Sequence, residues 1–390
     1  MGLESSSPLP ATEFSVECAD GWGNAVETRP AVDTVALPGS AWIARPDPAG
    51  GWIMAVMPSY DRGWNEWLEQ QGVDLQALPD GHILLRLGQD GSLAWVAADY
   101  SARGVDFVGD ALWVWGTNEA TSERSLLSVD PVTGAVIAVR PWDLGPSFNR
   151  LASARDPAGG AWISAISYRD DALVDQSLYR ATTLDTIELV ATRTTEDPKQ
   201  SPSGGLEPLI DGAVAWSLGV DGFEVIEPDG SVRWARSEGF AGASDIDTTL
   251  IVSRVPTGFG AGLSVRLEKV ALADGASLWT REHQRFVVTE SERCGPDDCG
   301  LLDLVYPTLR ADGGYLLTGR HAYPNSACPR QPLIMAVSAT GEAEWAHRVE
   351  TCGTFSSVAA RTAATIEVRG LTWDQSKPGW LGAWTRTFEL

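Results

Sequence analysis

Positive charge is scarce in this sequence. Its 390 residues include 29 Lys and Arg against 52 Asp and Glu, which gives a formal net charge of −23. Only three of the basic residues are lysines, at Lys199, Lys269 and Lys377. Such a surface repels phosphate backbones and anionic lipid headgroups. We therefore expect no nucleic-acid partner; the acidic surplus serves solubility or attracts cations or a basic partner.

Long apolar runs are also missing. No stretch approaches the ~20 apolar residues that a membrane-spanning helix requires, so we expect no membrane insertion. The opening residues, MGLESSSPLPATEF, contain no apolar run and read as neither a signal peptide nor a membrane anchor. We expect residues 1–11 to be a disordered tail and residues 12–390 to form one domain.

Cysteine occurs at five positions. Cys294 and Cys299 bracket GPDD, a short loop that could close into a disulfide, and Cys328 and Cys352 could form a second pair, which leaves Cys18 over. Two disulfides would place the protein in the periplasm, on the cell surface or outside the cell, after a leader that was trimmed or missed. The alternative is a cytosolic protein with five free thiols. Five titratable thiols in the unreduced, denatured protein would exclude the disulfides.

Residues that commonly carry catalysis form no motif. None of the four histidines, His82, His283, His321 and His347, has metal-ligand spacing. The sequence has neither a Gly-x-Ser-x-Gly nucleophile elbow nor a phosphate-binding P-loop. Cys294 and Cys299 with Asp297 and Asp298 could form a metal loop, but a disulfide is favoured. We therefore predict no catalytic residue and no metal site.

Calcium is the cofactor that the sequence could bind, through two acidic turns. The acidic turns PDPAGG, from residue 46, and RDPAGG, from residue 155, could bind Ca²⁺. Aspartate in such a turn more often hydrogen-bonds its own backbone instead.

The sequence is rich in one repeated phrase. A turn glycine is followed four residues later by tryptophan, at Gly91 and Trp95, Gly230 and Trp234, Gly275 and Trp279, and Gly341 and Trp345. A fifth turn has Gly134 with Ala138 at that offset. A short apolar strand precedes each Asp-Gly or Thr-Gly turn, which reverses the chain. The even offset keeps each tryptophan on the same face of the outgoing strand.

A second phrase lies upstream of each hairpin: an apolar strand, a glycine turn and another apolar strand. Together the two phrases make a four-stranded meander of about 45 residues, which is typical of a propeller blade. Counting such units predicts an all-β fold, a single β-propeller with seven four-stranded blades. The last blade has three strands of its own, and we expect residues 12–20 to pair with residues 380–389 as its fourth. Eight blades, with residues 12–40 in one of them, is the alternative.

The run hydrophobic–x–Asp–x–x–Thr–Gly–x–x–x–Trp resembles the tryptophan-docking motif of quinoprotein-type (PQQ-like) propeller repeats. SVDPVTGAVIA, from residue 128, lacks the Trp, and VALADGASLW, from residue 270, lacks the Thr. The resemblance implies that Trp95, Trp234, Trp279 and Trp345 wedge between neighbouring blades. Quinoprotein dehydrogenases of this family usually carry two adjacent cysteines beneath the cofactor. No two cysteines are adjacent here, so PQQ is not expected, and other family members are scaffolds or binding proteins.

The two long insertions fall on the same side of the predicted blades. Residues 58–81 connect the second and third strands of the first blade, and residues 283–304 connect two blades. Because loops on a rigid scaffold commonly carry function, we expect the ligand there. The predicted binding residues are aromatic, basic or polar and lie in the first insertion or near the same ends of the innermost strands: Tyr60, Arg62, Trp64, Trp67, Arg150, Glu207, Asp245 and Tyr306.

Trp64, Trp67 and Leu68 share one face of a short predicted helix that ends at Gly72. Either this helix buries both rings on the propeller, or at least one ring faces the central funnel and stacks on a sugar or a partner's side chain. The sequence therefore predicts a non-catalytic, exported, monomeric propeller that binds a protein or a glycan. The alternative is a hydrolase or lyase that acts on a carbohydrate or small molecule in the funnel.

Overall fold

The computed structural model describes the chain in segments between residues 17 and 389. The described residues are 17–18, 27–28, 33–38, 41, 43–59, 62–78, 81–88, 90–97, 100–118, 123–142, 148–169, 173–195, 205–218, 222–237, 239–256, 263–283, 286–287, 301–322, 330–348, 353–360, 365–373 and 380–389. The chain forms two compact units. The core unit comprises Ala41–Ile251 and Val270–Ser277, and the terminal unit comprises Met1–Ser40, Val252–Lys269 and Leu278–Leu390.

Nearly all of the described structure is β-strand. Three short strands come first: β1 (Glu17–Cys18), β2 (Glu27–Thr28) and β3 (Asp33–Leu37). Sheets A to D follow, each a four-stranded antiparallel meander in sequence order. Sheet A consists of β4 (Ile43–Pro46), β5 (Trp52–Val56), β6 (Ile83–Leu87) and β7 (Leu93–Ala97). Sheet B consists of β8 (Ser101–Val108), β9 (Ala111–Asn118), β10 (Glu123–Val129) and β11 (Val136–Pro141). Sheet C consists of β12 (Phe148–Arg155), β13 (Ala161–Arg169), β14 (Leu173–Thr183) and β15 (Thr186–Thr195). Sheet D consists of β16 (Leu206–Pro208), β17 (Val214–Ser217), β18 (Phe223–Ile226) and β19 (Val232–Arg236).

Three further sheets of the same kind follow. Sheet E consists of β20 (Phe240–Ser244), β21 (Thr248–Pro256), β22 (Leu263–Ala271) and β23 (Ser277–His283). The next strand, β24 (Phe286–Val287), pairs with β1. Sheet F consists of β25 (Leu301–Leu309), β26 (Tyr315–Ala322), β27 (Arg330–Val337) and β28 (Ala343–Arg348), with β2 added beyond β28. Sheet G consists of β29 (Gly353–Ala360), β30 (Thr365–Trp373), β31 (Trp380–Glu389) and, as its fourth strand, β3. The predicted all-β class, built from four-stranded repeats, is confirmed.

Helical structure in the described part is confined to the connection between β5 and β6. It comprises helix α1 (Arg62–Gln70) and a 3₁₀ turn, Leu75–Ala77. No helix among the described residues is long and apolar enough to cross a membrane.

The hydrophobic core of the core unit lies between consecutive sheets. The second strands are the most buried, and β5 and β17 are buried along their whole length, on both strand faces. This explains their nearly continuous apolar sequences, WIMAV and VAWS. Separate hydrophobic clusters join sheets A and B, B and C, and C and D; they include Ile53 and Val114, Trp113 and Ile163, and Leu178 and Val214 respectively.

The first strands of successive sheets in the core unit lie next to one another. β4 contacts β8, β8 contacts β12, β12 contacts β16, and β16 contacts β20. Each meander therefore runs outward from a shared row of first strands, and its fourth strand is the one farthest from that row.

Tryptophans on three fourth strands contact the outer turn of the following sheet. In each case the indole Nε1 donates to a turn carbonyl: Trp95 to Pro131 (3.0 Å), Trp234 to Leu272 (2.8 Å) and Trp279 to Ala339 (3.0 Å). The turn glycines Gly134, Gly275 and Gly341 are required there, because a Cβ on them would lie 2.7–2.9 Å from the docked ring. Trp95 and Trp345 are buried, whereas Trp234 and Trp279 are half-buried. Trp95, Trp234 and Trp279 thus contact the following sheet, and the position of all four rings between blades stays a prediction.

The predicted fourth strand of the last sheet was wrong in its position. Asp33 to Leu37 of β3 pair antiparallel with Thr387 to Ala383 of β31. In the predicted segment, Glu17 and Cys18 instead pair with Val287 and Phe286. Residues 12–20 alternate apolar and polar residues, whereas β3, DTVAL, does not, so the alternating period favoured the wrong segment.

Candidate functional site

The insertion between β5 and β6 is a folded element. Helix α1 ends at Gln70 and is capped by the predicted Gly72, which has a positive φ of 80°. The amide of Gly72 donates to Glu69 O (2.9 Å) and that of Val73 to Leu68 O (3.0 Å). This pair of bonds is the Schellman arrangement, in which a left-handed glycine satisfies the last helical carbonyls.

Helix α1 is anchored by one of its two tryptophans. Trp64 and Leu68, four residues apart, are fully buried. The Trp67 ring meets the Trp64 ring edge-to-face, with 5.5 Å between centroids and an interplanar angle of 86°. Trp67 is only half-buried, and Glu66, Glu69 and Gln70 are exposed. The buried side chains therefore hold the helix in place. The half-buried Trp67 indole lies beside the exposed side chains of Glu66 and Glu69.

The far end of the insertion is pinned to sheet B. His82, the residue before β6, is buried, and its backbone amide donates to Ser101 Oγ (3.0 Å). Its carbonyl accepts from the amide of Ala102 (2.7 Å). Before it, Asp74 Oδ1 accepts from Gln76 N (3.0 Å) and starts the 3₁₀ turn. The far end of the insertion is thus held by defined hydrogen bonds.

The other predicted binding residues in the described part lie on several different elements. Arg62 opens the helix, Arg150 lies in β12 and Tyr306 in β25 by backbone position. Glu207 lies in β16, half-buried and paired with Ala215 of β17. Tyr60, the cysteines Cys294, Cys299, Cys328 and Cys352, and residues 1–11 lie outside the described residues.

The predicted position of Asp245 was wrong. The strand β20 ends at Ser244, and Asp245 begins the turn to β21, where its amide donates to Thr248 O (2.8 Å). Its own carboxylate accepts from Ile246 N (2.8 Å). Because this turn joins the first and second strands, Asp245 lies at the end of the sheet opposite to the long insertions.

A polar cluster that the sequence reading missed joins the first strands of sheets A, B and C. Arg45 Nε of β4 donates to Asp106 Oδ1 of β8 at 2.9 Å, and Ser153 Oγ of β12 donates to Asp106 Oδ2. Asp106 is 6% exposed, whereas the side chain of Arg45 is 38% exposed. The signal available in the sequence was the presence of polar side chains in these first strands, but no spacing rule links residues so far apart.

Burial raises the pKa of the Asp106 carboxyl above its ordinary value, although the charge of Arg45 and the hydrogen bonds from Ser153 and Arg45 oppose this. A buried carboxyl with a raised pKa can hold a proton for catalysis. Here both oxygens are engaged, one by a guanidinium and one by a hydroxyl, and the side chain is nearly inaccessible. The geometry is that of a link between three strands.

The pKa of Asp106 predicts a pH-dependent contribution to stability. Since its folded-state pKa lies above its unfolded value, the folded protein binds this proton more tightly. The stabilisation is present below the unfolded pKa and is lost as pH rises through the folded pKa. We expect Asp106→Asn to gain stability relative to the native protein as pH rises through this window, in urea unfolding at a series of pH values.

Asp130 is the control for this experiment, because its pKa is shifted in the opposite direction. The hydrogen bond from Val132 N lowers the pKa of its exposed carboxyl, so its stabilisation is present above the unfolded pKa and is lost as pH falls. Asp130→Asn should therefore change the profile in the opposite sense. Parallel pH profiles for the native protein and Asp106→Asn would contradict the assigned shift.

The acidic turns considered for Ca²⁺ are occupied by protein donors. Asp47 Oδ1 accepts from Ala49 N (2.9 Å) while Oδ2 accepts from Arg86 Nε (2.6 Å). Asp156 repeats this with Ala158 N (2.9 Å) and Arg180 Nε (2.8 Å). The predicted role of these aspartates in their own turns is observed. Among the described residues, no three His, Cys, Asp or Glu are grouped so that they could hold one metal ion.

No protein-family model matches the sequence, and no curated protein is significantly similar to it. Among solved structures, the chain is similar to YCF48 bound to D1 peptide, with 10% identity, a TM-score of 0.47 and coverage of 92% of this chain and 99% of that one. It is also similar to the calcium-binding protein regucalcin from Agrobacterium tumefaciens, with 12% identity, a TM-score of 0.40 and coverage of 93% and 94%. At these identities and TM-scores, the similarities assign neither an activity nor a partner to this chain.

Proposed function

We propose that this protein is a seven-bladed β-propeller that works as a non-catalytic binding or scaffold protein, with helix α1 at the centre of its partner-binding surface. The row of first strands in the core unit supports the radial arrangement. So does the docking of Trp95 and Trp234 on the outer turn of the next sheet. The contact between first strands recurs from sheet to sheet, and the tryptophan contact is made in the same way at sheets A and D, as rotation about an axis requires.

Sheets A to G would be the seven blades. β3 supplies the fourth strand of sheet G, and only residues 38–42 separate it from the first strand of sheet A. A connection of that length spans at most about 20 Å. We infer that this strand closes the ring and leaves the last blade without an unpaired edge.

The observation that carries the proposed function is the anchoring of α1. Trp64 and Leu68 are fully buried and hold the helix, while Trp67 remains half-exposed. A helix held in place in this way loses little further conformational freedom on binding, which favours affinity. Tryptophan is also among the residues that most often dominate binding energy at interfaces.

The charge of this surface favours a protein partner with basic residues. Glu66 and Glu69 are exposed beside Trp67, and the whole chain carries a net charge of −23. Complementary charge accelerates association and excludes acidic competitors. A glycan that stacks on the Trp67 indole is the other possible outcome.

Site-specific photo-cross-linking tests the proposal. A benzoylphenylalanine at position 66, on the exposed face of α1, should give a discrete protein adduct in cells of the source organism. The same group at exposed Glu188 of β15 is the matched control. Trp67→Ala should abolish the adduct. The same adducts from both positions, or none from position 66, would refute the proposed surface.

A further inference from the structure

Exposed apolar side chains are concentrated on the outer rim of sheet B. Val132 is 69% exposed, Val136 36%, Ile137 65% and Val139 46%. They lie within eight consecutive residues that form the last turn and the outermost strand, β11. Burial elsewhere in sheet B is extensive, so these side chains are a local feature of one edge.

The exposure has a cause in the repeat. This sheet has Ala138 where other repeats have the docking tryptophan. Near β11, the contact with sheet C is made instead by Arg140, whose Nη1 donates to Leu184 O (2.9 Å), and by Trp142, which lies edge-to-face with Tyr179 at 5.9 Å. Val136, Ile137 and Val139 are therefore not required to hold the two sheets together.

The free edge of β11 carries a charge and a proline only at its end, in Arg140 and Pro141. Among the described residues, no strand pairs with it beyond β10. Outer strands in soluble proteins commonly carry charges or proline, which prevent pairing with another chain. β15 has Glu188 and Arg193, and β19 has Arg233 and Arg236, whereas residues 136–139 are Val, Ile, Ala and Val.

The fold already accepts an added strand at an equivalent edge. In sheet F, β2 lies beyond the outermost strand β28 and pairs with it in parallel, Glu27 with Trp345 and Thr28 with Ala346. The outermost strand of a sheet in this chain can therefore take a fifth strand. β11 offers a comparable edge with more exposed apolar surface.

We propose that the edge of β11 binds an extended segment of a partner protein, which adds a fifth strand to sheet B. Backbone hydrogen bonds along the edge would supply affinity, and apolar residues at alternate positions would cover Ile137 and Val139. The partner segment is basic, because this chain carries a net charge of −23 and two copies of it repel each other. This surface is separate from α1 and does not depend on the function proposed for the helix.

A synthetic peptide, Lys-Val-Thr-Val-Lys-Val-Thr with a fluorescent label, tests this proposal by anisotropy. The native protein should bind it, and a version N-methylated at alternate residues should bind at least tenfold more weakly. The double variant Ile137→Asp, Val139→Asp should also lose at least tenfold in affinity while keeping its circular dichroism spectrum. Leu189→Asp, at an exposed position of β15, adds the same kind of charge and should bind like the native protein.

The aspartate variants separate strand addition from charge attraction. If attraction alone held the basic peptide, the double variant would bind it equally or more tightly, and the proposal would fail. Equal binding of the N-methylated peptide would also overturn it. So would a dimer of the native protein that the double variant loses in sedimentation, since the edge would then be an interface between two copies of the chain.

Discussion

Replacing Gly160 by alanine is expected to destabilise the protein by about 3–5 kcal/mol. Gly160 has a φ of 94° and is the last residue of the RDPAGG turn before β13. A Cβ at this position would lie 2.0 Å from Ala181 O and 2.9 Å from the Cα of Thr182. Both atoms are backbone of the neighbouring strand β14, which cannot move without breaking its pairing. The cost combines a steric clash with the strain of a left-handed backbone.

Gly159→Ala is the matched control, because Gly159 also has a positive φ, 105°, but no atom would lie within 4 Å of its Cβ. Only the backbone strain remains there, about 1–2 kcal/mol. Urea unfolding of the two variants measures both costs. Equal destabilisation by the two substitutions would show that the close approach of β14 has been misassigned.

Trp64→Ala should cost about 3–5 kcal/mol, the usual range for a fully buried tryptophan. The ring is inaccessible to solvent, and its loss removes the contact by which α1 is fixed. It also removes the edge-to-face contact with Trp67. We expect the variant to have a lower melting temperature. We also expect its α1 amides to be less protected from hydrogen exchange.

Trp67→Ala should cost much less, about 1–2 kcal/mol, since that ring is half-exposed. Thermal unfolding of both variants under the same conditions provides the comparison. A Trp67 variant as unstable as the Trp64 variant would mean that both rings are structural. In that case the binding role proposed for Trp67 would lose its support.

The repeat could be predicted from the sequence because the residues that specify it lie a few positions apart. Each outer turn needs a glycine, and the following tryptophan sits at a fixed even offset on a short strand. The cap of α1 at Gly72 could be predicted for the same reason, since a left-handed cap is specified by one residue. These patterns depend on neighbours a few positions apart, which a single sequence displays.

Features that depend on contacts between residues far apart in the sequence could not be predicted. The choice of β3 over residues 12–20 as partner of β31 rests on which segment reaches that edge in the fold, and the alternation in residues 12–20 does not encode this. The link from Arg45 through Asp106 to Ser153 joins three strands that only the fold brings together. The sequence places Trp64 and Trp67 on the same face of the helix. Which of the two rings is exposed therefore depends on how α1 packs in the fold.

Hydrogen exchange of the α1 amides tests most directly the central claim, that the helix is a preformed element which presents Trp67. The account predicts that amides in the second half of α1 exchange on the order of 100-fold more slowly than in an unstructured peptide. It also predicts that Trp64→Ala removes most of this protection while Trp67→Ala leaves it in place. Exchange at the rate of an unstructured peptide in the native protein would contradict the account, because an unformed helix presents no defined surface.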